Sequence, residues 1–438
     1  MRRSGRGAPR HRHSHQGCRV TIPKPSNLIE HHAHLLQLGR SLSMADLSTC
    51  GSPEDMLARL ADHAAELAPH AWILAHGARP ESWPTPQWPT LDQLDRVAGG
   101  RPLCAWCFDY HALVANTAAL RHAGISPDTR FEHGRVVTDA GGCPTGLLLE
   151  HAALALWNSV PEPSEAERPQ LVRAACEHLR DLGFAEAHDM KAQGWLGSLL
   201  GDLDRSGELP IRVRLYALLE DLHHLHSTRR AWQTERVSLG GGKIFTDGTL
   251  NSRTAHMLRP YADAPPDRPC GMAMMSPAEI EHAVRRVDAL GLPLAAHAIG
   301  DAAVRATLDA IERVRPGTPG FRIEHAELVD ASDVPRFAAM GVIASLQPCH
   351  LLADIEALAK AAPDRLDRVL PVRELIESGL EPGRGVVFGS DVPIVRADPA
   401  DSIQAAVHRR RANMPPEQAV SPGQSIPEST AWACFGRA

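Results

Sequence analysis

The chain has 438 residues, 43% of them hydrophobic and 22% charged, with a formal net charge of -6. That length suits one α/β barrel carrying an insertion, or a few smaller domains. The mild acidity leaves no footprint for nucleic acid or an anionic membrane, and no apolar run approaches the roughly 18 residues of a membrane span. The expected partner is therefore a small-molecule substrate, with no nucleic acid and no membrane; self-association, if any, is expected as a homodimer. The nine cysteines are odd in number and scattered, which fits a reducing, cytoplasmic location. Cys104 and Cys107 form a C-x-x-C with no second pair, so they read as ordinary thiols rather than a metal or redox site.

In chain order, residues 1–26 are basic and lack the apolar segment of a secretory signal, so they read as a disordered tail. Its His11, His13 and His15 could scavenge metal as any histidine-rich tract can. Residues 27–438 read as a single barrel with an inserted subdomain at about 40–160. The apolar runs Leu28–His34, Gly183–Asp189, Ile211–Leu218, Gly242–Asp247, Leu292–Ala298, Arg322–Glu327, Val342–Gln347 and Val386–Ser390 are the expected strands. Apolar residues at three- and four-residue spacing predict helices over Ala166–Leu182, Pro277–Leu290 and Ala302–Val314, and Ser52 caps another that runs to Leu67. Strands alternating with helices argue a parallel sheet, and eight such units argue a (β/α)8 TIM-like barrel. The stretch between the first two strands is too long for one crossover. Its Pro- and Trp-bearing part (residues 80–90) and its GGCPTGLLLE element belong to the insertion after strand 1.

Six residues at or near the ends of these runs carry chemistry. His32 and His34 form an H-x-H pair, which on a strand places both imidazoles on one face, as a metal requires. Lysine is confined to Lys24, Lys191, Lys243 and Lys360, which makes Lys243 inside a glycine-flanked apolar strand conspicuous. A buried lysine is costly unless paired or modified. Two solutions stay open: a carbamate formed with carbon dioxide, acting as a metal ligand, or an ion pair, for which Asp247 is the nearby carboxylate. A phosphate loop is excluded because Ile244, not Ser or Thr, follows the Gly-Lys. His297 and His325 end the fifth and sixth strands. Each alone reads as a core histidine; together with the H-x-H they become candidate ligands. Asp391 follows the last strand, on the face where barrel active sites lie, and can take a proton from metal-activated water; a helix cap is its plain alternative.

These motifs, in this order, resemble the amidohydrolase superfamily, and most closely its third subgroup, which includes N-substituted formamide deformylase-like enzymes. The resemblance runs from about Leu28 to the C-terminus, through EHHAH, KIFTDGTLNSRTA, HAIGDAAV, RIEHAEL and GSDVP. It implies a metal set of His32, His34, Lys243 (carboxylated), His297, His325 and Asp391, with Asp391 also catalytic. It implies one or two divalent ions, zinc suiting the donors best, and hydrolysis of a non-peptide C–N bond of amide or formamide type. Family-like segments suggest Trp106, His111, Arg253 and His350 for substrate binding. Glu30 and His31 stand where the family has an Asp-x-His stretch. The family's small β-sandwich, built from both chain ends, is expected to be absent or a remnant, as in a chain truncated at both ends. The competing readings are an inactive truncated metal-binding homologue and an ester hydrolase on the same barrel.

Overall fold

The computed structural model describes residues 25–438 except 81, 82, 109, 111, 132, 133, 265 and 267. The tail expected over residues 1–26, with His11, His13 and His15, lies outside the described residues but for 25 and 26. Strands follow in chain order: β1 (Leu28–Ala33), β2 (Ala45–Asp46), β3 (Ile73–Ala78), β4 (Leu103–Cys107), β5 (Ala112–Ala115), β6 (Gly134–Thr138), β7 (Pro144–Glu150), β8 (Phe184–Asp189), β9 (Arg212–Leu218), β10 (Val237–Phe245), β11 (Leu294–Ala298), β12 (Arg322–His325), β13 (Ile343–Leu346) and β14 (Val386–Phe388).

β1 and β8 to β14 form one eight-stranded sheet in the order β1-β8-β9-β10-β11-β12-β13-β14, with every neighbouring pair parallel. Its two edges meet. The amide of Asp391 donates to His32 O at 2.7 Å, and that of His34 to Val392 O at 3.0 Å. Ala33 bridges Val392 in parallel. The sheet thereby closes into the expected (β/α)8 TIM-like barrel, and all eight anticipated strands are its staves. The chain's C-terminal end completes the seam lower down. Ile29 N donates to Phe435 O at 3.3 Å and Phe388 N to Cys434 O at 3.0 Å, so edge amides that would otherwise be buried without a partner are satisfied. The Phe435 ring packs edge-on to Phe184 and Phe388.

β10 begins at Val237, five residues before the strand expected from Gly242. Glycines read as a loop in sequence, but here they thin the strand so that its neighbours can approach. A Cβ on Gly241 would lie 2.3 Å from Pro293 O, and one on Gly240 2.6 Å from the Arg214 side chain.

The helices follow their caps. Ser52 accepts the Asp55 amide and opens Pro53–Glu66, which buries Met56, Leu60 and Ala64 along one stripe. Ser276 and Glu279 form a capping box at Pro277–Asp288, which lays Ile280, Ala283, Val284 and Val287 on the barrel.

β2 to β7 form a separate six-stranded sheet, order β2-β3-β4-β5-β7-β6, lying in the chain between β1 and β8 and carrying its own apolar clusters. It reaches the barrel mouth where the Tyr110 hydroxyl donates to Pro393 O at 3.4 Å, two residues past Asp391. No disulfide joins the described cysteines, and no helix among the described residues is long and apolar enough to cross a membrane.

Phe435 is 1% exposed and fills the seam between β1, β8 and β14. Phe435→Ala is expected to destabilise the fold by about 3–5 kcal/mol through the cavity it leaves. Chemical denaturation of parent and variant measures this directly.

Candidate metal centre

Parallel strands in a closed ring deliver their C-terminal ends to one face. β1 there presents His32 and, one step beyond its end, His34. Their period-two spacing turns both rings inward, with centroids 5.5 Å apart. Asp391, three residues past β14, meets them across the seam. His34 Nε2 lies 2.9 Å and His32 Nε2 3.4 Å from Asp391 Oδ1. One donor atom from each of these three residues falls within 4.8 Å of the others, the clustering a cation needs.

The remaining histidines complete the wall. The His325 ring is centred 5.0 Å from His32 and 4.5 Å from His297. His325 and Asp391 adopt positive φ of 72° and 63°. His and Asp are among the few residues that enter this region, and such strain concentrates at functional sites. His297 donates Nε2–H to Gly248 O at 3.1 Å, which leaves Nδ1 as its lone-pair atom. The Nδ1 atoms of His34 and His325 are buried and have no hydrogen-bond partner.

Lys243 projects from β10 into this space. It is 1% exposed, and its Nζ has no hydrogen-bond partner and lies 5.1 Å from the centroid of the Phe245 ring. Asp247 is not its partner. That carboxylate instead accepts the amides of Ile299, Gly300 and His256 at 3.1, 2.8 and 2.9 Å, tying the loop after β10 to the loop after β11.

The electrostatics match a cation site. Burial lowers His32 to about 4 and His297 to about 3, and drives His325 well below its usual value, so these imidazoles are neutral lone-pair donors at pH 7. Burial also pushes the Lys243 ammonium down to about 8, against the pull of Glu324 and Asp391. Burial alone would raise the Asp391 carboxyl, but His32, His34 and His350 around it hold it well below the ordinary carboxylate range. A set of neutral imidazoles, one anion and buried polar atoms without partners fits a divalent cation.

Of the residues expected to touch substrate, His350 is brought to the site. Its ring lies 5.9 Å from His325, and it donates Nε2–H to Ser390 O at 3.1 Å. Glu327 stands 3.7 Å from its Nδ1. Trp106 sits in the core of the second sheet between Tyr110 and Trp157, 2% exposed, and is not gathered with the ligands. Arg253 forks onto both oxygens of Asp263 at 2.7 and 2.5 Å and onto Leu250 O at 2.8 Å. His111 lies outside the described residues.

Two residues not anticipated from sequence brace the site from inside the barrel. Glu324 Oε2 accepts His32 Nδ1–H at 2.7 Å, which fixes the tautomer that leaves Nε2 facing Asp391. Arg322 pairs with Glu324 and donates to His188 Nδ1 at 3.1 Å, His31 O at 3.0 Å and Ser345 Oγ at 2.5 Å. The alternation R-x-E in a buried strand was the available signal, since both side chains must then face the barrel interior.

Comparisons with known proteins bear on the family and the fold. Residues 27–433 match the profile of the Amidohydrolase family. YtcJ of Bacillus subtilis, named as an amidohydrolase, is 30% identical over 398 residues, covering 88% of this chain and 73% of that protein. N-substituted formamide deformylase of Arthrobacter pascens is 25% identical over 421 residues, covering 91% of this chain and 76% of its own length. The crystal structure of an uncharacterized metal-dependent hydrolase from Pyrococcus horikoshii superposes with a TM-score of 0.75 at 28% identity, covering 93% of this chain and 78% of that one.

The Lys243 amine is buried without a hydrogen-bond partner, a situation that costs about 1–3 kcal/mol. Lys243→Met is therefore expected to raise the denaturation midpoint of the chelator-treated protein while lowering its uptake of divalent cation. A variant less stable than the parent in chelator would show that the amine has a partner.

Proposed function

The chain belongs to the amidohydrolase family, and we propose that it hydrolyses a non-peptide C–N bond, of amide or formamide type, at a divalent cation held by His32, His34, Lys243, His297, His325 and Asp391. The observation that carries this reading is the meeting of His32, His34 and Asp391 within 4.8 Å at the barrel mouth. Imidazole nitrogen and carboxylate oxygen suit zinc, as one ion or two. When bound, such a cation polarises the substrate carbonyl and acidifies water.

The chain's own residues supply the rest. Asp391 is ionised at neutral pH and presents a carboxylate oxygen that takes the proton from the attacking water. The same carboxyl then returns that proton to the leaving nitrogen, which departs as an amine. Lys243 becomes an anionic ligand when carbon dioxide adds to its amine: an N–C bond forms and one proton is lost. Burial favours the uncharged amine that this addition requires. Glu324 holds His32 in the ligating tautomer. His350, at the edge of the ligand set, is placed to contact the substrate. The deformylase relative and the metal-dependent hydrolase neighbour support the bond type and the cation respectively.

The test is a panel of N-formyl and N-acyl amines with matched esters, offered to the zinc-loaded and the chelator-treated protein. Zinc-dependent amine release is the expected result. Hydrolysis of esters alone, or equal rates in chelator, contradicts it. Asp391→Asn is expected to fold as the parent does and to lose about 10²- to 10⁴-fold in turnover, the range for a positioned acid–base group. Metal content of the same sample, measured alongside, separates lost proton transfer from lost cation.

A further inference from the structure

The candidate ligands come from the two strands that must find each other to close the ring. His32 and His34 belong to β1 and its end, Asp391 to the turn after β14. Two backbone hydrogen bonds join that junction at the ligands themselves, and directly below them a side chain takes over. Glu30 is fully buried between the strands. Its Oε1 accepts the His32 amide at 2.9 Å and the Ser390 amide at 2.8 Å, and its Oε2 accepts the Ser390 hydroxyl at 2.9 Å. Ser390 Oγ in turn accepts the Val392 amide at 3.2 Å.

We propose that Glu30 is a positioning residue: its carboxylate bridges the seam and sets the separation of His32 from Asp391. The inference rests on the cation-centre reading of those two residues. The bridge joins the amide of one ligand to the amide and hydroxyl of the residue immediately before the other. The three groups hydrogen-bonded to Glu30 all donate to it, so a carboxylate, which only accepts, satisfies all three. Glutamine keeps the shape but turns an N–H₂ toward a donor. Aspartate keeps the charge, and is the carboxylate of the family's Asp-x-His stretch, but its arm is one methylene shorter than the one that reaches Ser390 here. Gly389 is part of the same device: a Cβ there would lie 2.6 Å from His32 N and 2.8 Å from Glu30 Oε1, so only glycine lets the strands close on the carboxylate.

The experiment compares the full-length parent with Glu30→Asp, Glu30→Gln and His31→Gln. His31 lies on the same seam, where its Nε2 donates to Phe435 O at 3.1 Å, but it does not bridge to Ser390 or Asp391. Zinc affinity is read by competition with a chelating dye, and folding by circular dichroism and denaturation midpoint. Both Glu30 variants are expected to fold and to bind zinc about 10- to 100-fold more weakly, the usual consequence of losing a group that orients a ligand. His31→Gln is expected to lower the midpoint while keeping near-parental zinc affinity. Parental affinity in both Glu30 variants, or an equal loss in His31→Gln, overturns the assignment. Zinc-free crystals of Glu30→Asp judge Glu30 independently of any cation: the His32–Asp391 separation is expected to widen from 3.4 Å, and an unchanged separation overturns the proposal. A parent that takes up no zinc would instead count against the cation reading.

Discussion

Closure of the barrel between β1 and β14 is the constraint on which the site depends. A parallel ring must join its first and last strands, and here each contributes candidate ligands at the join. Two backbone hydrogen bonds, His32 O to Asp391 N and Val392 O to His34 N, are both the top of the seam and the scaffold of the ligand cluster. Below them Glu30 and the carbonyls of Cys434 and Phe435 take over as acceptors. Folding energy and ligand geometry therefore share the same few contacts. Anything that opens the seam moves His32 and His34 relative to Asp391.

The barrel interior is unusually ionic for a core. Arg322, Glu324, His32 and His188 lie in contact inside the ring, with the Lys243 amine also buried there. Buried charges are tolerated when paired and hydrogen-bonded, and breaking one partner leaves an uncompensated charge. Arg322 and Glu324 satisfy that condition. Lys243 does not, and this imbalance is what singles it out from an ordinary core lysine. A cation centre and a modified amine would redistribute the charge; an apolar core would have no use for it.

The strands were legible because each carries a short apolar run, and four of them end at or near a residue with chemical character. His32, His297, His325 and Asp391 mark the ends of β1, β11, β12 and β14. The early start of β10 was hidden by its glycines, whose role depends on Pro293, just before β11, and the Arg214 side chain of β9 pressing in. In the insertion, the Ser52-capped helix and the GGCPTGLLLE strand were readable, whereas β2 and β3 were not. The bracing of the site was not legible for a different reason. Glu324 meets His32 across 292 positions, and Glu30 meets Ser390 across 360, so their roles exist only after the ring closes. Trp106 and Arg253 were suggested by residue type and segment; in the fold Trp106 packs between Tyr110 and Trp157, and Arg253 forks onto Asp263.

The central claim is that a divalent cation sits at the junction of His32, His34 and Asp391. An anomalous difference map recorded across the zinc absorption edge, from crystals of the full chain grown with zinc, tests it most directly. The account predicts a peak at the cluster of His32, His34 and Asp391. A map with no peak there, or with density only at the neighbouring Glu327, His350 and Asp354 cluster, would contradict it.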